Sequence, residues 1–305
     1  MRKEEFKNYI NESTININGD IVKPEEAKIS IFDRGFLYGD SIYEVLHSTQ
    51  RRIVFLDDHI SRLYHSANLL SMNIYYQQQD IIEQIMKTLK ASNLDEAYIR
   101  IILTRGESIL SLDPTKSFTN NFVIIVRPRL IPPKKFYNEG MNLYIPHIIR
   151  NDIKAVNPNA KSGNYLNNVM ALSEARKYGA DDAVMINQNN EVTEGTNFNI
   201  WMIKDNIVYT PPVSTGLLKG ITRQKIIDIC QEKNIELSLS AFQKEDLLKA
   251  QEVFITSSSR GIMPVKQINQ VIYGENISSW PLTKKLMQHY HKKVAEEYHL
   301  NHNKY

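Results

Sequence analysis

The sequence lacks most features of secreted, membrane-spanning or nucleic-acid-binding proteins. Its 305 residues include one cysteine, Cys230, so no intrachain disulfide can form and a reducing compartment is favoured. No segment approaches the run of about 20 apolar residues that a membrane-spanning helix needs, and acidic residues near the N-terminus argue against a signal peptide. The net charge of +3 is too small to favour nucleic acid or an anionic membrane. We therefore expect a cytoplasmic protein that binds neither nucleic acid nor membrane.

A set of metal ligands is also missing from the sequence. None of the eight histidines is spaced with acidic residues or with Cys230 as metal ligands are. Cys230 follows the largely apolar segment 226–229, which is typical of a cysteine that packs in a core. We therefore predict no metal site.

The apolar pattern predicts a mixture of helices and strands. Residues 14–22 alternate apolar and polar side chains around an Asn-Gly turn, which favours a β-hairpin. Residues 81–89 have the spacing of an amphipathic helix. Residues 98–103 and 122–126 are rich in β-branched side chains, which is typical of buried strands. The pattern as a whole predicts an α+β fold.

A proline-rich, charged stretch at residues 129–140 predicts a linker between two unequal domains. Residues 1–128 would form a small N-terminal domain, and residues 141–305 a larger C-terminal domain. Within the second domain the pattern predicts a strand at 143–149 and a last helix at about 282–298.

Three short motifs supply groups that a pyridoxal phosphate site needs. The first is Lys161-Ser162-Gly163-Asn164-Tyr165, whose lysine can form a Schiff base. The second is Val192-Thr193-Glu194-Gly195-Thr196, whose carboxylate can hold a protonated pyridine nitrogen. The third is Gly220-Ile221-Thr222-Arg223, where a helix begins and its free backbone N–H groups can receive a phosphate. Each motif is weak alone, and the combination is specific.

In this order and wording, the motifs resemble the class IV (fold type IV) aminotransferases. These include branched-chain and D-amino-acid aminotransferases and aminodeoxychorismate lyases. The resemblance covers about residues 18–265, most of the chain. It implies a two-domain, D-amino-acid aminotransferase-like fold with pyridoxal 5'-phosphate (PLP) in the cleft between the domains. It also implies a homodimer or a higher homo-oligomer.

The resemblance implies a role for each residue near the cofactor ring. Lys161 would form the Schiff base, and the phenol of Tyr165 would hydrogen-bond the ring hydroxylate. Glu194 would hold the pyridine nitrogen, with Asn199 behind it. The competing acid, Glu191, lies at a predicted Asn-Asn turn and is more simply explained as an exposed residue.

The resemblance also implies a phosphate site. Ile221 and Thr222 would bind the phosphate at the start of their helix. Arg62 matches the phosphate-binding arginine of the family, whose planar fork suits a bidentate contact. Without the motif, an arginine on a helix would more simply be a surface ion-pair partner. Ser258 stands where the family often has threonine and would add a hydroxyl contact.

The substrate residues distinguish the subfamilies less clearly. Tyr38 and Tyr43 match positions that line the substrate pocket. Tyr98-Ile99-Arg100 is similar to the Tyr-x-Arg pattern of branched-chain enzymes, in which the arginine helps arrange carboxylate recognition. D-amino-acid enzymes usually carry an Arg-x-His pair slightly later, and residues 106–112 contain neither residue.

The serine-rich loop adds two candidate substrate residues. Backbone N–H groups of Ser258 and Ser259 match a loop that binds the substrate carboxylate in the family. Arg260 is unusual beside them, because branched-chain enzymes often have a small residue there. A guanidinium at this position is also compatible with amino donors that have an acidic side chain.

The sequence thus predicts a PLP-dependent aminotransferase that acts on branched-chain L-amino acids with 2-oxoglutarate through a Lys161 Schiff base. Three alternatives remain. One is a D-amino-acid transaminase, and another is a relative that binds the cofactor without catalysis. The third is an aminodeoxychorismate lyase, which is expected to have threonine after the Tyr43 position, where this chain has Glu44.

Overall fold

The computed structural model describes residues 3–300, whose mixture of helices and strands confirms the predicted α+β class. The helices are α1 (Lys3–Asn11), α2 (Arg34–Tyr38), α3 (Leu56–Leu69), α4 (Gln78–Ser92), α5 (Lys134–Glu139), α6 (Leu166–Lys177), α7 (Ile221–Glu232), α8 (Lys244–Leu247) and α9 (Pro281–Leu300). The strands are β1 (Thr14–Ile17), β2 (Asp20–Val22), β3 (Ser41–Thr49), β4 (Arg52–Ile53), β5 (Ala97–Thr104), β6 (Asn121–Pro128), β7 (Met141–Tyr144), β8 (Asp182–Ile186), β9 (Val192–Gly195), β10 (Asn199–Lys204), β11 (Ile207–Tyr209), β12 (Leu237–Ser238), β13 (Glu252–Ser257), β14 (Gly261–Ile268) and β15 (Val271–Ile272).

The chain divides into two compact units. Among the described residues, the first contains residues 3–130, the segment Ala160–Asn164 and residues 297–300. The second contains Ile131–Asn159 and Tyr165–Glu296. Residues 160–164, expected in the C-terminal domain, are therefore part of the first unit. The domain limits at 128 and 141 stay a prediction, because compactness alone does not show that a unit folds independently.

The first unit is built on a six-stranded antiparallel sheet with the order β2-β1-β6-β5-β3-β4. Along β5 the side chains alternate between two faces, as the pleat requires. Ala97, Ile99, Ile101 and Leu103 are completely buried, and the residues between them are mostly half-buried. The buried face contributes to a core that also takes in apolar residues of α3 and α4.

Local signals explain several elements of this unit. The Asn18-Gly19 turn has positive φ at both residues, 54° and 101°, which confirms the predicted hairpin between β1 and β2. The predicted helix at 81–89 lies within α4, which begins with a capping box formed by Gln77 and Asp80. The strands predicted at 98–103 and 122–126 lie within β5 and β6.

The second unit contains a nine-stranded sheet with the order β12-β11-β10-β13-β14-β7-β8-β9, to which β15 is added beside β14. Its core is formed by apolar residues that include Ile200, Val253, Ile255 and Val265. The strand predicted at 143–149 is shorter than expected, since β7 ends at Tyr144. Pro146 follows closely, and a proline cannot donate to a ladder. The last predicted helix is confirmed as part of α9.

The stretch predicted as a linker contains the short helix α5. Within residues 3–300, no helix has both the length and the apolar character that crossing a membrane requires.

Replacement of Leu63 by alanine should lower the free energy of unfolding by about 2–5 kcal/mol, since the side chain is completely buried against the first sheet. Leu69, at the end of the same helix, is 36% exposed, so Leu69→Ala should cost less than about 1 kcal/mol. Urea unfolding of both variants checks this. Equal losses would contradict the described packing of α3.

Candidate active site

Residues 161–163 are joined to β3 by backbone hydrogen bonds. The N–H of Tyr43 donates to the carbonyl of Lys161 at 2.9 Å, and the N–H of Gly163 donates to the carbonyl of Ser41 at 2.9 Å. A Cβ atom at Gly163 would lie 2.3 Å from Oγ of Ser41, so a larger residue here would have to displace the Ser41 hydroxyl. The lysine motif is therefore held next to β3, the strand that carries Tyr43.

The backbone and the side chain of Lys161 are held by α3 and by Tyr43. The backbone N–H of Lys161 donates to Oγ of Ser66 at 3.1 Å, and Ser66 donates to the carbonyl of Arg62 at 2.9 Å. Nζ of Lys161 donates to the hydroxyl of Tyr43 at 3.3 Å and lies 4.5 Å from the centre of its ring. The amine of Lys161 thus lies beside the phenol of Tyr43, and hydrogen bonds to β3 and to Ser66 hold the backbone of the lysine.

Three predicted substrate residues lie on one face of the sheet. Tyr43 pairs with Ile102, and Tyr98 and Arg100 follow on the same side of β5 because alternate residues share a face. The guanidinium carbon of Arg100 lies 4.3 Å from the centre of the Tyr43 ring. A fourth, Tyr38, ends α2, and its ring centre lies 5.0 Å from the guanidinium carbon of Arg34.

The opposite face of β3 carries a buried carboxylate. Glu44 is completely buried, and its two oxygens accept hydrogen bonds from two residues of α3. Nε of Arg62 donates to Oε1 at 2.7 Å, and Nη2 donates to Oε2 at 2.8 Å. Nδ1 of His59 lies 2.7 Å from Oε2. Because an ionised carboxylate only accepts, Nδ1 of His59 carries the hydrogen.

Burial and charge act in opposite directions on this carboxylate. Burial alone would raise the pKa of Glu44, but the charge and hydrogen bonds of Arg62, together with His59, hold that pKa well below its usual range. Burial lowers the pKa of His59, and the positive charges of Arg62 and Lys161 lower it further, against the opposing effect of Glu44. The cluster therefore contains an anion, a guanidinium and a neutral imidazole.

In the second unit, Glu194 is bonded at both of its oxygens. Nη2 of Arg150 donates to Oε1 at 2.8 Å, and the N–H of Leu218 donates to Oε2 at 3.0 Å. Arg150 also donates to Oδ1 of Asn168 at 3.0 Å. A carboxylate has about four lone-pair positions, so these bonds are compatible with one more donor such as a pyridinium N–H.

Leu218 connects Glu194 with Asn199. Its N–H binds Glu194, and its carbonyl accepts Nδ2 of Asn199 at 2.9 Å. A Cβ at Gly220 would lie 2.0 Å from Oδ1 of Asn199, so the start of α7 approaches this amide closely only because residue 220 is glycine. The predicted ring and phosphate residues of this unit are therefore adjoining.

The N-terminus of α7 has the character of an anion site. Gly220 is its N-cap and makes no side-chain cap, and the first turn carries no acidic residue. Ile221 and Thr222 are buried there, and their backbone N–H groups have no partner within the helix. Arg223 follows, and burial lowers the pKa of its guanidinium to about 10. It contacts two neutral groups: Nη2 donates to the carbonyl of Pro211 at 2.9 Å, and Nε donates to Oγ1 of Thr210 at 3.4 Å.

The serine-rich turn joins β13 to β14 and contains Ser258 and Ser259. The N–H of Arg260 donates to Oγ of Ser257 at 3.3 Å. The guanidinium of Arg260 points to the buried carboxylate of Asp182, with Nη2 3.3 Å from Oδ2, and its buried Nη1 has no hydrogen-bond partner. Arg260 is thus paired within its own unit.

Tyr165, the remaining predicted cofactor residue, stands immediately before α6. Sequence reasoning missed Glu44, His59 and Arg150 as site residues. Glu44 and His59 adjoin predicted residues in the chain, and that proximity was the only available signal. Arg150 had none, because it lies 44 positions from Glu194. Over the part of the chain that the structure describes, no three His, Cys, Asp or Glu side chains are grouped as a metal would require.

Comparison with known proteins identifies the family. Residues 41–268 match the model of a family described as amino-transferase class IV. A Methanocaldococcus jannaschii protein, described as "Putative branched-chain-amino-acid aminotransferase", is 36% identical over 275 residues, which cover 90% of this chain and 94% of the relative. D-alanine aminotransferase of Bacillus licheniformis is 30% identical over 280 residues, which cover 92% and 96%.

A solved structure is also similar. The crystal structure of Escherichia coli branched-chain amino acid aminotransferase matches with a TM-score of 0.88 at 26% identity, covering 93% of this chain and 95% of that chain. The predicted fold type IV architecture and the predicted family resemblance are both confirmed.

The pH dependence of stability should reveal the buried imidazole of His59. Its pKa is lowered from 6.5 in the folded state, so the unfolded chain binds the additional proton. The stabilisation that comes from neutral His59 should therefore be fully present above pH 6.5. It should be lost as the pH falls from 6.5 towards the lower pKa that His59 has in the folded protein. His59→Gln should make this fall shallower in urea unfolding between pH 7 and pH 5. Burial also lowers the pKa of His291. Because His291 is unchanged in the variant, part of the fall should remain. An unchanged slope would contradict a buried, neutral His59.

Proposed function

We propose that this chain, which belongs to the class IV aminotransferases, transfers the amino group of branched-chain L-amino acids to 2-oxoglutarate. Enzymes of this class depend on PLP and exchange an amino group between an amino acid and a 2-oxo acid. The branched-chain donor, the choice of 2-oxoglutarate and the roles of individual residues are the proposed parts.

The observation that carries the proposal is the group formed by Lys161, Tyr43 and Arg100. The lysine amine donates to the Tyr43 hydroxyl, and the Arg100 guanidinium lies against the same ring. A substrate whose amino group reacts next to Lys161 would find a guanidinium close by for its carboxylate. Tyr98 and Arg100 form the Tyr-x-Arg pattern typical of branched-chain enzymes, which favours these donors.

The residues present have the chemistry that PLP requires. Its aldehyde needs an amine, for which Lys161 is proposed. Its pyridine nitrogen needs an acceptor, for which the buried Glu194 is proposed, with Asn199 supporting the adjoining turn. Tyr165 is proposed to bind the ring hydroxyl. When bound, PLP supplies an electron-withdrawing ring that stabilises the charge left at the substrate Cα after its proton is removed.

The phosphate of PLP needs several donors and positive charge. The proposed donors are the N–H groups at the start of α7, the guanidinium of Arg62 and the hydroxyl of Ser258. The uncapped and acid-free first turn of α7 supports this assignment. The backbone of Ser259 is proposed to bind the substrate carboxylate, and Arg260 and Tyr38 are proposed to line the substrate site.

The proposed chemistry assigns the proton transfer to Lys161. Its amine removes the proton from Cα of the donor and returns a proton when the 2-oxo acid acceptor is converted to product. Tyr43 orients this amine through its hydroxyl, and Arg100 binds and orients the acidic group of the substrate. Glu194 holds the proton at the pyridine nitrogen, where it stays throughout.

A second candidate is transamination of D-amino acids. It is favoured by the 30% identity to D-alanine aminotransferase across 92% of this chain. The absence of an Arg-x-His pair at residues 106–112 is the reason that we rank it second.

We also propose a homodimer in the cytoplasm. The single cysteine supports a reducing compartment. Large apolar side chains are exposed in both units, among them Phe36 and Leu112 in the first and Leu166 and Val169 in the second. Exposed apolar surface of this kind favours association of subunits.

Replacement of Lys161 by alanine should lower the rate of transamination by about 10⁴-fold or more, because it removes the proposed proton carrier. Product formation from L-leucine and 2-oxoglutarate measures this. Lys154→Ala, at an exposed position, is the matched control. Borohydride treatment of the wild type should attach the cofactor to the peptide that contains Lys161. Attachment to another lysine would overturn the assignment.

The donor is tested by mixing the PLP-loaded protein separately with L-leucine, L-valine, D-alanine, L-glutamate and D-glutamate. We expect the visible absorbance of the bound cofactor to disappear with L-leucine, L-valine and L-glutamate. A response only to the D-amino acids would replace the first proposal by the second. Loss of Arg100, as Arg100→Gln, should raise KM for L-leucine while leaving cofactor binding unchanged.

A further inference from the structure

The carboxylate of Glu44 is a buried charge of the first unit that is bonded at both of its oxygens. It is fully buried, and it receives three hydrogen bonds of 2.7, 2.8 and 2.7 Å from Arg62 and His59. All three residues belong to β3 or α3, within one compact unit. Charge-assisted bonds as short as these fix the orientation of both partners.

We propose that Glu44 and His59 are positioning residues that hold the Arg62 guanidinium in one orientation for the cofactor phosphate. The inference rests on the phosphate role proposed for Arg62. Glu44 acts directly on the guanidinium. His59 acts through Glu44, since its Nδ1–H binds the oxygen that also accepts Nη2 of Arg62.

The geometry of a guanidinium explains why this matters. Arginine presents its donors in a rigid plane, but the plane is attached to a flexible chain that carries about 2 kcal/mol of rotamer entropy. Glu44 engages the edge formed by Nε and Nη2. The plane and the direction of the Nη1–Nη2 edge are then set before an anion arrives. Binding does not have to order the side chain, which improves affinity.

The contribution of Glu44 is one of orientation and not of charge. Its negative charge neutralises Arg62, so by Coulomb attraction alone it would weaken the binding of a phosphate. Removing that charge therefore separates two explanations. If orientation dominates, Glu44→Gln binds PLP more weakly. If charge dominates, the same variant binds PLP more tightly.

The lysine is linked to the same helix turn. Ser66 donates to the carbonyl of Arg62 and accepts the N–H of Lys161. One turn of α3 thus contacts the proposed phosphate arginine and the backbone of the proposed reactive lysine. A shift of α3 that follows loss of the Glu44 bonds would also reach Lys161, so a test needs a readout specific to phosphate.

The test compares PLP with pyridoxal, which has the same ring and aldehyde but lacks the phosphate. Apoprotein of the wild type and of each variant is titrated with both compounds. The quantity compared is the dissociation constant of pyridoxal divided by that of PLP, which falls when the preference for PLP is lost. For Glu44→Gln we expect PLP binding to weaken by about 10- to 100-fold, with pyridoxal binding unchanged. His59→Gln should give a smaller loss in the same direction.

A double-mutant cycle with Arg62→Ala connects the two residues. Arg62→Ala should itself remove most of the preference for PLP over pyridoxal. Adding Glu44→Gln to Arg62→Ala should then change the ratio no further, because Glu44 acts through Arg62. If Arg62→Ala leaves the ratio unchanged, the phosphate role proposed for Arg62 is wrong. If Arg62→Ala lowers it and Glu44→Gln does not, the positioning role alone is overturned.

Glu252→Gln is the matched control. Glu252 is also a buried glutamate, but it accepts the backbone N–H groups of Leu282 and Thr283 in the second unit. Its replacement should lower stability without changing the PLP-to-pyridoxal ratio.

Loss of Glu44 leaves a guanidinium without its carboxylate, so Glu44→Gln can be too unstable to titrate. In that case Glu44→Asp and His59→Gln decide. Aspartate keeps the charge but is shorter by one methylene, so it cannot keep the same bonds to Arg62. Both variants should bind PLP more weakly and pyridoxal normally. An unchanged ratio in both, or tighter PLP binding in any Glu44 variant, would overturn the proposal.

Discussion

Backbone hydrogen bonds between residues 161–163 and β3 determine where the amine of Lys161 lies. They bring a segment from the middle of the chain to a strand that begins at Ser41. Because neighbouring residues of a strand point to opposite faces, Tyr43 meets the lysine while Glu44 meets α3. A single strand therefore orients the amine on one side and a guanidinium on the other. Gly163 lets the two segments approach without displacing the Ser41 hydroxyl.

Three of the charged residues proposed for the site each form an ion pair within the protein. Arg62 is bonded to Glu44, Glu194 to Arg150, and Arg260 to Asp182. Buried or half-buried ions need such partners, because an isolated charge is costly away from water. The pairing also fixes side chains that would otherwise be mobile. Pre-oriented groups stabilise a developing charge without rearranging during the reaction.

Much of this arrangement could be predicted from local sequence. The Asn18-Gly19 turn, the spacing of α4 and the glycine before α7 are signals within a few residues, and each gave the correct element. The strand predicted at 143–149 was wrong at its C-terminal end, because Pro146 cannot donate to the ladder and β7 ends at Tyr144. Partners far apart in the chain could not be predicted. Arg150 and Glu194 meet only because β9 and the segment before α6 fold together, and the membership of residues 160–164 in the first unit depends on the pairing with β3.

Leu218 connects Glu194 to Asn199 through its backbone alone. Its N–H and its carbonyl make both bonds, and its side chain takes part in neither. These contacts are therefore indifferent to which amino acid occupies position 218, with proline as the exception, since it has no N–H. Sequence drift at this position can proceed without disturbing either neighbour. A comparison of aligned sequences could thus rank residue 218 as unimportant, although the peptide group there binds both the acid and the amide that are proposed to hold the cofactor ring.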